Sequence, residues 1–299
     1  MRTWWATGMA ALWVACTPEP GPPARPTPRP EPTCEPIVAD GLEVEVVDGV
    51  TTTEDFAFDG QGRLVAADPT RNLLGWRRDG SFDVVAPGIG ETRGIAAFPD
   101  GDLVVTNPDT GAVQRVAAAT GAATLVATVA VSVSLVDVAP DDTLALGDLN
   151  GRVNVVHPDG RTDSWGRVAT QLYGAAFSGD GARAWFASYS PADRRILVSE
   201  RGQDGAFSEP VTWVETTGAG LAGLTTDDCG ALYAVQPAGC VVWRFDEDGV
   251  EEQLVDLELP DGACYSLGFG QGAGGWSATA LYVATYDEVV EVELGVTGR

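Results

Sequence analysis

Lysine is absent from this chain, and histidine occurs once, at position 157. Without lysine there is no Schiff-base nucleophile and no amine general base. With His157 alone, zinc sites built on two or more imidazoles are excluded. Positive charge is scarce altogether: 18 arginines stand against 43 Asp and Glu, for a net charge of −25. A polyanion of that size repels phosphate backbones, which argues against nucleic acid as a partner. The apolar run near the N-terminus falls short of the roughly 20 residues that a membrane-spanning helix needs. What is present is the composition of a folded protein, with 44% hydrophobic and 8% aromatic residues among 299. Such a chain buries one large core or two small ones and is not an acidic disordered tail.

Residues 1–15, MRTWWATGMAALWVA, set one arginine before a short apolar run and small residues, the pattern of a secretory signal. Leu12-Trp13-Val14-Ala15-Cys16 resembles the lipobox of bacterial lipoproteins, whose cysteine is diacylated and becomes the mature N-terminus. Trp13 stands where that family usually has leucine. The resemblance implies lipidation at Cys16, a place in the bacterial cell envelope facing periplasm or exterior, and the lipid bilayer as a partner. From Thr17 to Pro36, nine of twenty residues are proline. That density favours extended polyproline geometry, a tether reaching about 60 Å at ~3.1 Å per residue. The expected organisation is a signal peptide over 1–15, a lipidated cysteine and tether over 16–36, and a folded domain over 37–299. Besides Cys16 there are Cys34, Cys229, Cys240 and Cys264, an even set that reads as two disulfides in an exported protein. No CxxC spacing points to zinc.

The folded domain is a repeat. Aligned on their first turn, the copies are EDFAFDGQGRLVAAD (54–68), RGIAAFPDGDLVVTN (93–107), SLVDVAPDDTLALGD (134–148) and YGAAFSGDGARAWFAS (173–188). Two looser copies follow, AGLTTDDCGALYAVQ (222–236) and YSLGFGQGAGGWSATALYVAT (265–285). Leu64, Leu103, Leu144, Ala184, Leu232 and Leu281 mark the period, at spacings of 39, 41, 40, 48 and 49. Units of that length holding four short strands are the signature of a β-propeller. Ten Asp-Gly pairs between residues 40 and 262 supply hairpin turns, since both residues tolerate positive φ. The sixth unit ends after its third strand, and a spare strand, Leu42–Val47, precedes the first unit. Pairing that strand onto the last blade closes the ring and removes an exposed edge. The expected fold is all-β: a six-bladed propeller of four-stranded antiparallel blades, closed by the strand at 42–47.

These repeats resemble the senescence-marker-protein/gluconolactonase and NHL group of six-bladed propellers across residues 42–296. The resemblance implies that inner strands start, and second strands end, at the channel's top face. One ring there is Glu54, Arg93, Ser134, Tyr173, Ala222 and Tyr265; the other is Asp68, Asn107, Asp148, Ser188, Gln236 and Thr285. Polar groups converging on one mouth are candidates for ligand binding, the alternative being that they hydrate the channel and pair with one another, Arg93 with Glu54 or Asp68. Gluconolactonase-like enzymes hold a divalent cation through Glu, Asn and Asp of the first ring. Here Glu54 keeps the Glu, while Tyr173 and Ala222 stand at the other two positions. One carboxylate holds a hard cation poorly, so the family's metal and its Lewis-acid chemistry are not expected here. A relocated calcium site on Glu54, Asp68, Asn107 and Asp148 is the weaker option, with Arg93 in the same ring opposing it.

In such a ring Cys229 falls at a bottom turn and Cys240 at the top of the next hairpin. Roughly six strand residues at ~3.3 Å each separate them by ~20 Å, beyond the ~7 Å a disulfide spans. Cys264 opens the sixth blade on top, and Cys34 precedes a closing strand that starts at the bottom. The expected pairs are therefore Cys34–Cys229 and Cys240–Cys264. His157 falls at a hairpin turn away from the channel, where a surface histidine is expected. Asp246-Glu247-Asp248-Gly249 lacks the oxygen spacing of a calcium loop and reads as a solvated turn. Trp76, Trp165, Trp185, Trp213, Trp243 and Trp276, at about one per blade, are expected to pack between blades. The leading functional expectation is an envelope-tethered, monomeric propeller that binds a small molecule or an envelope protein without chemistry or cofactor. A lactonase-type hydrolase with an altered metal site is the alternative, and a purely structural envelope component the third.

Overall fold

The computed structural model describes residues 34, 37–39, 41–52, 54–217, 219–259, 263–285 and 287–298. The signal segment, Cys16 and the proline-rich tether, apart from Cys34, lie outside the described residues. Among the described residues no helix is long and apolar enough to cross a membrane.

Six antiparallel four-stranded sheets form the blades. Blade 1 comprises Phe56–Phe58, Leu64–Ala67, Leu73–Trp76 and Phe82–Ala86. Blade 2 comprises Gly94–Ala97, Leu103–Thr106, Ala112–Val116 and Ala123–Thr128. Blade 3 runs through Val133–Val138, Leu144–Asp148, Arg152–Val156 and Thr162–Arg167. Blade 4 runs through Leu172–Phe177, Arg183–Ser188, Arg195–Glu200 and Val211–Glu215. Blade 5 holds Leu224–Thr226, Leu232–Gln236, Val241–Phe245 and Glu251–Asp256. Blade 6 holds Ser266–Phe269, Ala280–Ala284 and Val289–Glu293, and its outer strand is Val44–Val47 from the start of the domain. That strand pairs antiparallel with the chain's last strand, Val44 opposite Val292 and Val47 opposite Val289, so the ring closes as expected.

Burial explains the repeat. A second strand is covered on both faces by neighbouring blades, so it reads as an unbroken apolar run and not as an alternation. Leu64, Leu103, Leu144, Ala184, Leu232 and Leu281 are all buried. Outer strands face solvent and alternate, as Thr162–Arg167 does. The core is accordingly divided among the seams between blades. Phe58 of blade 1 meets Trp276 and Tyr282 of blade 6 at ring separations of 5.4 and 5.2 Å. Trp213 of blade 4 joins Trp185 to Phe245 of blade 5 at 5.8 and 6.2 Å.

The Asp-Gly turns differ in type from the expectation. At Asp79-Gly80 only the glycine has positive φ, 80°. Gly80 N donates to Arg77 O at 3.0 Å and Arg77 N to Ser81 O at 2.8 Å. This is a type I turn followed by a left-handed glycine, in which Asp79 Oδ1 accepts from Ser81 N at 2.9 Å. Aspartate is used as an acceptor that closes the turn, so it need not enter the left-handed region. Asp246 does the same, accepting from Asp248 N and Val250 N at 3.0 and 2.9 Å.

His157 is not at the surface. It is 5% exposed, and its Nε2 donates to Asp163 Oδ2 at 2.7 Å. The cause is the long connection after Glu200 in blade 4, which swings Phe207 to 6.4 Å from the imidazole. Burial tends to raise the Asp163 carboxyl, but the His157 hydrogen bond and the Arg161 charge outweigh it and hold the group below the usual range. Two disulfides join Cys34 to Cys229 and Cys240 to Cys264, with Cα atoms 5.5 and 5.2 Å apart.

Candidate functional site

Glu54 enters blade 1 at the channel's top end. Its Oε2 lies 3.2 Å from Arg93 Nε, which enters blade 2, and accepts a hydrogen bond from the Tyr173 hydroxyl of blade 4. The Tyr173 ring packs on Tyr189 at 5.1 Å and on Tyr265 of blade 6 at 5.8 Å. Tyr189 and Tyr265 share a side-chain hydrogen bond. Burial, then Tyr265 and then the charge of Glu54, push the Tyr189 phenol above its ordinary value, so it remains a neutral donor at neutral pH. Tyr173 is buried, while Tyr189, Tyr265, Glu54 and Arg93 stay partly open to solvent. Tyr173 is carried to this point by a close approach of strands. A Cβ on Gly174 would collide with the Ala222 carbonyl oxygen, so glycine lets the blade 4 inner strand press against the entry to blade 5.

One residue along, Asp55 ties the ring together. Its Oδ2 accepts from Ile95 N of blade 2 at 2.7 Å, and its Oδ1 accepts from the Ser266 hydroxyl of blade 6. Burial is the main influence on its carboxyl, pushing it up to about 7, with Glu54 adding to the rise. The repeat carried a signal for this residue. Equivalent positions in the other copies hold Gly94, Leu135, Gly174, Gly223 and Ser266, so a carboxylate there stands out.

The other candidate residues are employed differently. Ser134 is fully buried, and its hydroxyl lies 2.9 Å from two carbonyl oxygens, that of Gly147 in its own blade and that of Leu172 across the seam in blade 4. Ala222 is fully buried and offers no polar group. The second ring chiefly closes its own turns. Asp68 Oδ1 accepts from Thr70 N and Asn72 N at 2.8 and 2.9 Å, and Asn107 Oδ1 from Asp109 N and Thr110 N, both at 3.0 Å. Asp148 Oδ1 accepts from Asn150 N and Arg152 N at 2.8 and 2.9 Å, while its Oδ2 is buried without a hydrogen-bond partner among the described residues. Thr285 Oγ1 accepts from Asp287 N and Glu288 N at 3.1 and 3.0 Å. Gln236 bridges Ala219 N and Ala238 O, and the Ser188 hydroxyl is buried without a hydrogen-bond partner among the described residues. The structure therefore brings together Glu54, Arg93, Tyr173 and Tyr265 and adds Tyr189. The side chains of Asp68, Asn107, Asp148, Gln236 and Thr285 go to turns, the local chemistry that any strand-to-turn junction needs.

The family resemblance implies a divalent cation at this mouth, and the donor set does not fit one. The single first-ring carboxylate already faces a guanidinium and a phenol, and Ala222 has no ligand atom. Hard cations take six to eight oxygens. Among the described residues no three His, Cys, Asp or Glu side chains converge to hold a metal ion.

No protein-family model and no curated protein matches the chain. Solved structures do match in shape. A gluconolactonase from Xanthomonas campestris, 22% identical, superposes with a TM-score of 0.69 over 91% of this chain and 100% of that one. A luciferin-regenerating enzyme, 15% identical, gives a TM-score of 0.70 over 87% of this chain and 98% of that one. Regucalcin from Agrobacterium tumefaciens, a calcium-binding protein, is 18% identical with a TM-score of 0.68 over 86% and 96% of the respective chains. The chain thus has the six-bladed propeller fold that gluconolactonases and regucalcin share. Identity at that level speaks for the fold, and activity has to be argued from the site.

Proposed function

We propose that the chain is a binding propeller that takes a small organic molecule at the top of its channel without a resident metal. The observation that carries this reading is the meeting of Glu54, Arg93, Tyr173, Tyr189 and Tyr265 from blades 1, 2, 4 and 6. A carboxylate, a guanidinium and phenols give a ligand hydroxyls to bond and aromatic faces to pack on. Glu54 neutralised by Arg93 suits hydroxyl recognition better than cation coordination. The second reading, a lactonase-type hydrolase, is favoured by the shape shared with the gluconolactonase and by a polar cluster at the corresponding mouth. Titration calorimetry of the purified chain with D-glucono-1,4-lactone, a neutral polyol, tests the two. Binding without turnover, weakened about ten-fold or more in Glu54→Gln and Tyr173→Phe through loss of hydrogen bonds to a charged group, is the expected result. Rapid lactone hydrolysis abolished by a chelator would replace the binding reading with the hydrolase.

The N-terminal sequence supports attachment of this monomeric domain to the bacterial envelope through lipid on Cys16, with residues 17–36 as spacer. Cys16→Ser is expected to move the protein from the membrane to the soluble fraction. Identical fractionation of variant and parent would refute the anchor.

A further inference from the structure

In a chain with 43 acidic residues, two arginines stand apart. Arg152 and Arg167 form no ion pair among the described residues, and they occupy directly opposed positions on neighbouring strands of blade 3. Like charges so placed repel, and an acidic partner would be the ordinary remedy. Instead both residues, which are exposed, line an open surface pocket of about 420 Å³, together with Leu149, Asn150, Thr170 and Gln171. Neither neighbouring carboxylate pairs with these two guanidinium groups: Asp148 closes its own turn through Oδ1, its buried Oδ2 having no hydrogen-bond partner among the described residues, and Asp193 holds Arg195 at 2.5 Å and Thr170 N at 2.8 Å. Arg167 Nε donates to Ala169 O at 3.2 Å, which steadies that guanidinium.

The pocket adjoins the mouth. Gln171 directly precedes the inner strand of blade 4, and its carbonyl accepts from Tyr189 N at 3.1 Å. Leu149 packs against the apolar cluster that includes Tyr173, Tyr189 and Tyr265.

We infer that Arg152 and Arg167 form an anion subsite on the top face, at the seam of blades 3 and 4, for a carboxylate or phosphate group. Guanidinium forks match both oxyanions bidentately, and the amides of Asn150 and Gln171 and the Thr170 hydroxyl add neutral donors. Treating this subsite as one end of the channel-mouth ligand rests on the binding reading above, and makes that ligand an anionic polyol or aromatic molecule. The pocket also gives a strongly acidic protein a local means of accepting an anion that its overall field opposes.

Calorimetry at low ionic strength on the full chain tests this with three probes: D-gluconate, inorganic phosphate and neutral D-glucono-1,4-lactone. The variants are Arg152→Gln/Arg167→Gln and, as control, Arg71→Gln, an exposed arginine paired with Glu91. At least one anion is expected to bind the parent and Arg71→Gln alike and to lose about ten-fold or more affinity in the double variant, whose thermal midpoint is no lower than the parent's because the opposed charges are gone. Whether gluconate or phosphate responds identifies the oxyanion. Binding of neither anion, or equal binding by parent and double variant, overturns the subsite. Lactone binding that survives in the double variant while anion binding is absent leaves the mouth reading standing alone. Anion binding through the pair, with no lactone binding in any variant, keeps the subsite and removes the mouth.

Discussion

Replacing Cys34 and Cys229 together with serine is expected to lower the unfolding free energy by about 5 kcal/mol, on the chain-entropy account of a cross-link. The bond closes a sequence separation of 195 residues that takes in blades 1 to 4 and the first strand of blade 5. It also lies ten residues before the strand that seals the ring. That strand, Val44–Val47, has only four residues, of which Val47 alone is buried, so its own contacts hold it weakly. Without the bond it can leave the blade 6 edge and expose a row of unpaired backbone groups. Removing Cys240 and Cys264 together opens a separation of 24 residues and is expected to cost less, about 3–4 kcal/mol. Denaturant titration of the oxidised parent and both double variants checks the order. Equal losses, or a larger loss at Cys240–Cys264, would show that the ring closure does not depend on this cross-link.

Asp55→Asn is expected to flatten a pH dependence of stability that the parent shows between about pH 4 and pH 7. The folded carboxyl is pushed up to about 7 from an ordinary 3.8, chiefly by burial. The folded state then holds the proton more tightly than the unfolded chain, so stability falls as pH rises through this window and levels off above it. A rise of that size corresponds to about 4 kcal/mol across the window. Asparagine imitates the protonated acid: its oxygen accepts from Ile95 N and its amide donates to the Ser266 hydroxyl. Asp163, Asp68 and Asp193 are held low by their partners and impose an opposite, acid-side trend, which is common to parent and variant. The informative quantity is therefore the difference between the two profiles from pH 4 to 8. Parallel profiles would sink the assignment. Asp55→Ala serves as a check on the hydrogen bonds, since it orphans Ile95 N inside the channel wall at a cost of about 1–3 kcal/mol.

The mouth cluster was partly legible. Glu54, Arg93, Tyr173 and Tyr265 all come from the ring that precedes the inner strands, and blade geometry aims such residues at the channel. Tyr189 escaped because it lies one residue past Ser188, outside both aligned rings. The second ring misled for a physical reason. A polar residue ending a strand serves the turn after it equally well, and Asp68, Asn107 and Thr285 are used that way. His157 was misplaced because its cover, Phe207, comes from an irregular connection in the next blade, where the repeat carries no information.

The amino-acid sequence by itself determined the number of blades, the strand order within each and the source of the closing strand. These follow from interactions within about 40–50 residues, the scale of one repeat: apolar runs that need cover on both faces, and Asp-Gly junctions that need a turn. Only the tertiary structure decided which polar side chains meet. Tyr173 reaches Glu54 across 119 residues, and Ser266 reaches Asp55 across 211. Such contacts depend on how each blade is set against its neighbours, which is fixed by packing at the seams and leaves no periodic trace along the chain.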